Sequence, residues 1–361
     1  MVNDAIVKEA IALLRDLVAI PSLSGKEEKA ADYLEGQLQS YFPGHVKRLG
    51  NNLIVDIRGK TSGNTLMLCS HIDTVTPAPG WTRDPFGGEL QDNKIYGLGA
   101  NDAGASVVSM IAAARLLARG LAGQLILCLA AEEEAGSQGF VKIEGDLPRY
   151  HAAIFGEPTG MAVASAMRGS MRAVMRSHGV ACHASRPWEG KNACDQFAQD
   201  LKTLRAIDLK DQSAWGCATM EPTIVRGGES TNQIPALIET TLDIRTTPDK
   251  NNRWIEAELQ KTGLDINITI NKRHPIVSDR RSQISEAIWR ACPGSSEYIF
   301  NGTCDMAFST APSVVMGPGK SERSHAADEF ITVDEIKEAI AVYTSVIEQY
   351  MSICRQPVGQ P

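Results

Sequence analysis

Apolar positions along the chain change their spacing between its parts. The opening stretch, MVNDAIVKEAIALLRDLVAI, interleaves apolar residues with Asp4, Lys8, Glu9, Arg15 and Asp16, which predicts an amphipathic helix. Short apolar runs follow: NNLIVDIRG, TLMLCSHIDTV, QLILCLAAE and HAAIFGEP, with the helical pattern ASVVSMIAAARLLARG among them. Short apolar strands separated by a helical pattern predict α/β architecture around a mainly parallel sheet covered on both faces. Such sheets place ligands at the carboxyl ends of their strands.

From about residue 166 to 271 the pattern shifts to alternation. RGSMRAVMRSHGVA, TIVRGGESTNQIPA, LIETTLDIRTT and DINITINKR read as half-exposed strands, and NACDQFAQDLKTLRAI and KNNRWIEAELQKTG as helices. That combination predicts an α+β module, an antiparallel sheet with helices on one face. The earlier character resumes with the helix around SQISEAIWRAC, the apolar SVVMG and a final helix, TVDEIKEAIAVYTSVIEQYM. The expected organisation is therefore a larger α/β domain, residues 1–165 and 272–361, with a smaller domain, 166–271, inserted into it.

Composition narrows the class. A chain of 361 residues has room for two cores, and 43% hydrophobic with 22% charged residues is ordinary for a soluble globular protein. The formal net charge of −7, without a basic stripe, argues against a nucleic-acid partner. No stretch is long and apolar enough for a membrane span, and the N-terminus lacks the form of a signal peptide. Eight cysteines without a C-x-x-C pair, several inside apolar runs, fit a reduced, cytoplasmic protein.

Acidic and imidazole groups recur at predicted strand ends. They are His71 and Asp73 after TLMLCS, Asp102 after IYGLGAN, Glu132, Glu133 and Glu134 after LILCLAA, and Glu157 after AAIFG. His325 in RSHAADEF joins them from the C-terminal part. Each taken alone has a plain structural reading: a satisfied surface pair, a solvated helix start, a turn, or for Asp102 a helix cap. Together, two imidazoles and several carboxylates suit zinc, cobalt or manganese rather than calcium. Clustered negative charge becomes favourable once divalent cations occupy it, so the set points to a metallohydrolase.

The ordered motifs SHIDTV, YGLGANDAG, AAEEEAGSQG, FGEPTG and RSHAADEF resemble the di-zinc family of acetylornithine deacetylase, succinyl-diaminopimelate desuccinylase, aminoacylase and carboxypeptidase G. The resemblance spans nearly the whole chain and implies a parallel-sheet catalytic domain carrying an inserted dimerisation or lid domain. It implies that His71 and Glu157 hold one metal, Glu134 and His325 the other, and that Asp102 bridges them. Asp73 would orient the His71 imidazole. The pattern E-E-x-G-S-x-G falls on Glu133–Gly139, making Glu133 the general base and Glu134 a ligand, with no chemistry assigned to Glu132.

In the inserted part, GVACHASRPWEGKNA resembles the segment whose histidine, here His183, reaches a partner subunit's site to stabilise the oxyanion. STNQIPA and LDIRTTP resemble segments that bind the substrate carboxylate, which implies Asn232 and Arg245 for it, and FNGTCDMAF resembles the family's G-T-x-D loop, which implies Gly302 and Thr303. Two departures stand out. The D-x-K-G that commonly follows the bridging acid is here Asp102-Ala103-Gly104-Ala105, and an arginine common in the preceding G-R-G is Leu98. Both remove positive charge beside the metals.

The resemblance thus implies a cytoplasmic, homodimeric amidohydrolase with two divalent ions, zinc or alternatively cobalt. Its substrate would be a small N-acyl amino acid, with the N-acyl-ornithine (or citrulline) deacylases of arginine biosynthesis as the nearest group. Succinyl-diaminopimelate desuccinylase or a dipeptidase is the enzymatic alternative, and a metal-binding scaffold without catalysis is the alternative of another class.

Overall fold

The computed structural model describes residues 3–60, 63–210 and 216–353. They form two compact units. The first comprises Met1–Ala166, Ser278–Tyr298 and Cys304–Pro361; the second comprises Met167–Val277 and Ile299–Thr303. The short segment Ile299–Thr303 carries Gly302 and Thr303 into the second unit.

The first unit is built on a mixed sheet ordered Val46–Leu49, Asn52–Arg58, Gln124–Ala130, Thr65–His71, Ala152–Phe155, Ser313–Val315, Val163–Met167. The four strands from Gln124–Ala130 to Ser313–Val315 run parallel, and the flanking strands are antiparallel. Thr65–His71 and Ala152–Phe155 are buried along their whole length. Leu66 and Leu68 join the main helix-packed core, while Met67 and Cys69 are equally inaccessible on the alternate positions. Both faces of the sheet are therefore covered, which explains unbroken apolar runs in place of alternation.

Helix Asp4–Val18 turns Leu13, Leu14 and Leu17 inward, and the helices Ala105–Leu117, Gln283–Ala291 and Val333–Ile353 pack on one another in the same core. A helix over Glu28–Tyr41, absent from the sequence-based expectation, belongs here too. Its apolar face is only Ala30, Ala31, Leu34 and Leu38, a thin helical stripe in an otherwise polar stretch. A further three-stranded antiparallel sheet joins Glu89–Gln91, Lys94–Tyr96 and Phe330–Thr332.

The second unit is a four-stranded antiparallel sheet ordered Thr219–Gly227, Leu237–Thr246, Gly169–His178, Asp265–Arg273. Met171, Ala173, Met175, Leu242 and Ile244 pack beneath Leu204, Ile255 and Leu259 of the helices Ala193–Arg205 and Asn252–Lys261. The stretch TIVRGGESTNQIPA is not one strand. It ends at Gly227, turns, and continues as the two-residue strand Gln233–Ile234 paired with Cys182–His183.

No helix among the described residues is long and apolar enough to cross a membrane. The seven described cysteines form no disulfide, and Cys354 lies outside the described residues.

Candidate metal centre

His71 is the last residue of the central strand Thr65–His71. Its Nδ1 lies 3.0 Å from the backbone carbonyl of Asp73, which makes Nδ1 the donor and turns Nε2 outward. That Nε2 stands 3.2 Å from Asp102 Oδ1 and 4.0 Å from Glu157 Oε2. Glu157 follows the end of the neighbouring strand Ala152–Phe155 and is 8% exposed.

Asp102 arrives differently from what its strand-end reading implied. It sits in a wide turn, Ala100–Gly104, entering the helix Ala105–Leu117, and the strand before it, Lys94–Tyr96, belongs to the small sheet. Nor does it cap that helix: the cap position is Gly104, without a side-chain bond. The Asp102–Ala103 peptide is cis. Its two carboxylate oxygens face two imidazoles, Oδ1 toward His71 and Oδ2 at 3.7 Å from His325 Nε2. His325 Nε2 is also 2.7 Å from Glu134 Oε1.

One donor atom each from His71, Asp102 and Glu134 falls within 4.8 Å of the others. Glu157 adds to the His71 side and His325 to the Glu134 side, giving two overlapping groups that share Asp102. A chelating set of two imidazoles and three carboxylates fits divalent ions that take nitrogen and oxygen donors.

The electrostatics argue the same way. Burial raises the Glu157 carboxyl well above its ordinary range; the His71 charge counters this, but Asp102, Glu133 and Glu134 push it higher. Burial disfavours a charged His71, yet hydrogen bonds from Asp102 and Asp73 and the charge of Glu157 outweigh it and hold its pKa well above normal. His325 is lifted to about 9, first by its bond to Glu134. The same concentration of carboxylates that lifts both imidazoles is one that cations would neutralise.

The three consecutive glutamates have separate environments. Glu132, with φ 53°, turns its carboxylate to Lys142 Nζ at 2.7 and 3.0 Å. Glu134 faces His325. Glu133 is 7% exposed and close enough to Glu157 to raise that group's pKa. Its carbonyl accepts from Gly136 N and Ser137 N, closing a tight turn after the strand Gln124–Ala130. The Asp73 carboxylate underpins this turn, accepting from Glu133 N, Glu134 N and Ser24 Oγ, and lies 3.5 Å from His71 Nδ1.

The remaining candidates lie in the second unit, as two pairs. His183 and Asn232 are neighbours through Ala184 N, which donates to Asn232 O at 2.9 Å; both are exposed. Arg245 and Thr303 meet at 3.1 Å between NH1 and Oγ1, with Gly302 beside Thr303. Sequence reasoning missed Asp243, which takes Arg245 Nε at 2.8 Å and NH2 at 3.3 Å. The signal was there, since residues two apart on a strand share a face.

The two pairs are far apart within the unit. His183 pairs with Gln233, just before the Leu237 end of the strand Leu237–Thr246, whereas Arg245 lies at its other end. The stretch of strand between them, Leu237 to Arg245, spans about 27 Å.

Comparison with known proteins adds a family. The profile of peptidase family M20/M25/M40 matches residues 67–349. The chain is similar to a succinyl-diaminopimelate desuccinylase from Cereibacter sphaeroides, 28% identical over 383 residues and covering 95% of this chain and 99% of the relative. It is similar to an acetylornithine deacetylase from Erwinia tasmaniensis, 26% identical over 374 residues, covering 94% and 97%. Its fold resembles the M20 family metallo-carboxypeptidase Sso-CP2 from Sulfolobus solfataricus, with a TM-score of 0.81, 18% identity, and 95% and 99% of the two chains covered.

Proposed function

The chain belongs to peptidase family M20/M25/M40, and from that premise we propose that it is a two-metal amidohydrolase removing an acyl group from an N-acylated amino acid. The observation that carries the reading is the pair of donor groups sharing Asp102, whose two oxygens face His71 and His325. His71, Asp102 and Glu157 would hold one divalent ion, and Glu134, Asp102 and His325 the other, with zinc or cobalt suited to the donors. When bound, the ions would polarise the scissile carbonyl and acidify a water at the site.

The protein's own residues supply the rest. Glu133 takes the proton of the attacking water and returns it to the leaving amine. Asp73 keeps Glu133 and Glu134 in register while His71 presents Nε2. His183 receives the Ser185 N–H on Nδ1 at 3.2 Å, which leaves Nε2 as the ring atom to donate to a developing oxyanion. Arg245, with Thr303 and Gly302, binds the carboxylate of the substrate, and Asp243 holds the guanidinium in place.

The strand of about 27 Å that lies between the His183–Asn232 pair and Arg245 supports a homodimer. One small substrate cannot touch both ends of the same unit, so His183 and Asn232 serve the site of a second copy through the inserted domain.

As substrate we take N-acetyl- or N-succinyl-ornithine or the citrulline analogues, the amides cleaved in arginine biosynthesis. Similarity to a desuccinylase over 95% of the chain favours succinyl-diaminopimelate as the second reading. The test is a panel of N-acetyl and N-succinyl ornithine, citrulline, lysine and diaminopimelate, assayed with zinc and with cobalt. The highest kcat/KM on an ornithine or citrulline amide supports the first reading, and on succinyl-diaminopimelate the second. Two ions bound without turnover of any member would leave a metal-binding scaffold and sink the amidohydrolase.

A further inference from the structure

Asn101, next to Asp102 in the chain, is fully buried and spends its whole side chain on one distant loop. Its Oδ1 accepts from Lys320 N at 2.9 Å, and its Nδ2 donates to Lys320 O at 3.1 Å and Ser324 Oγ at 3.2 Å. The residue after Ser324 is His325. Close approach here requires Gly319: at its φ of +84° a Cβ would stand 2.3 Å from Asn101 Oδ1.

The same two segments are tied in the reverse direction. Glu329 is 2% exposed, and its Oε1 accepts both Asn101 N at 2.9 Å and Asp102 N at 3.1 Å. Its carbonyl takes Gly97 N at 2.9 Å. An amide from the Asp102 segment grips the His325 segment, and a carboxylate from the His325 segment grips the Asp102 backbone. Between these ties lie Asp102 and His325, with His325 held at φ 60°, a conformation that persists in non-glycine residues only when the surroundings impose it.

We propose that Asn101 and Glu329 are positioning residues that set the spacing between Asp102 and His325, and through it the affinity of the metal position those two share with Glu134. The inference rests on the two-metal reading above. A merely structural clamp would stabilise the fold without distinguishing the two metal positions. This one acts mainly on the Glu134–His325 side, because it joins the segments of Asp102 and His325 and meets the other position only through the shared Asp102 and the Thr159–Lys320 pairing that follows Glu157.

The experiment is a stepwise Co2+ titration of the metal-depleted full chain, followed by calorimetry and the visible absorption of bound Co2+. Wild type is compared with Asn101→Ala, Ser324→Ala, Glu329→Ala and Glu329→Gln. Expected is an Asn101→Ala protein in which one of the two steps is weakened by about 10–100-fold and the other far less. Ser324→Ala weakens the same step less, and it decides between the outcomes if Asn101→Ala does not fold. Glu329→Gln, which keeps an acceptor for the two N–H groups, recovers most of what Glu329→Ala loses. Equal weakening of both steps, or of neither, overturns the clamp. A wild type that takes up fewer than two ions instead overturns the metal reading itself.

Discussion

The Asp73 carboxylate accepts the backbone N–H of Glu133 at 2.9 Å. The Glu134 N–H and the Ser24 hydroxyl reach the same carboxylate. The sequence motif assigns Asp73 to orienting His71, yet most of its hydrogen bonding goes to the glutamate turn. Burial opposes its charge, but His71, Ser24 and Glu133 outweigh burial and keep the carboxyl below its ordinary range.

Replacing Asp73 therefore disturbs two elements together. Asp73→Ala leaves buried N–H groups of the Glu133–Glu134 turn without their acceptor. Loss of kcat by about 10–100-fold, with metal per protomer reduced, is expected. Asp73→Asn, which keeps one acceptor oxygen, should lie between. Metal analysis and steady-state kinetics decide it, and an Asp73→Ala enzyme with both quantities at wild-type level would refute the role.

In the proposed mechanism Glu133 differs from Glu134 in having a proton to move rather than a metal to hold. Glu133→Gln preserves shape in a position 7% exposed and removes only the basic oxygen. The expectation is undiminished uptake of two ions and a fall in kcat of about 10²–10⁴-fold, with KM little changed. Unimpaired turnover in that variant would remove Glu133 from the mechanism.

Much of this centre was legible because its chemistry is written in local motifs. H-x-D, the glutamate run and G-E-P each end or follow a strand of the sheet, so position alone points at His71, the run Glu132–Glu134 and Glu157, and the family pattern E-E-x-G-S-x-G then singles out Glu134. Asp102 was legible as a residue but not in its setting, because a wide turn and a small sheet replace the strand end. The helix Glu28–Tyr41 was hidden by its thin apolar stripe. The Asn101 and Glu329 ties span 219 and 228 residues, and no local pattern records a contact of that range. Asp243 beside Arg245 falls between: strand periodicity places them on one face, but only the fold shows the guanidinium engaged.

Another pair anchors the His325 loop. Arg323 NH1 lies 3.1 and 2.9 Å from the two Glu335 oxygens, and Thr332 donates through its N–H and its hydroxyl to the same carboxylate. Burial works against the Glu335 charge, but Arg323 and Thr332 prevail and hold its pKa below the ordinary glutamate value. A depressed carboxyl contributes stability that is present above its unfolded pKa and is lost as pH falls through the folded one. Glu335→Gln should therefore cost about 1–3 kcal/mol at neutral pH. The difference from wild type should shrink to nothing below the ordinary carboxylate range. Denaturant unfolding at a series of pH values measures it; a gap that stays constant into acid would contradict the assignment.

The dimer reading makes the sharpest demand on His183. Because Arg245 lies at one end of the strand Leu237–Thr246 and His183 beyond the other, the proposal gives each site its base from one chain and its His183 from the other. Glu133→Gln and His183→Ala homodimers should then both be inactive. In a mixed dimer, one site combines both defects and the other has neither. Random exchange of equal amounts should restore about a quarter of the wild-type rate, with the KM of the wild type because the restored sites are whole. Exchange can be verified by differently tagged chains. If the His183 acts within its own chain, each chain of the mixture carries one defect and no activity returns. Silence after verified exchange would thus confine His183 to its own subunit, and a restored rate would tie catalysis to the assembled pair.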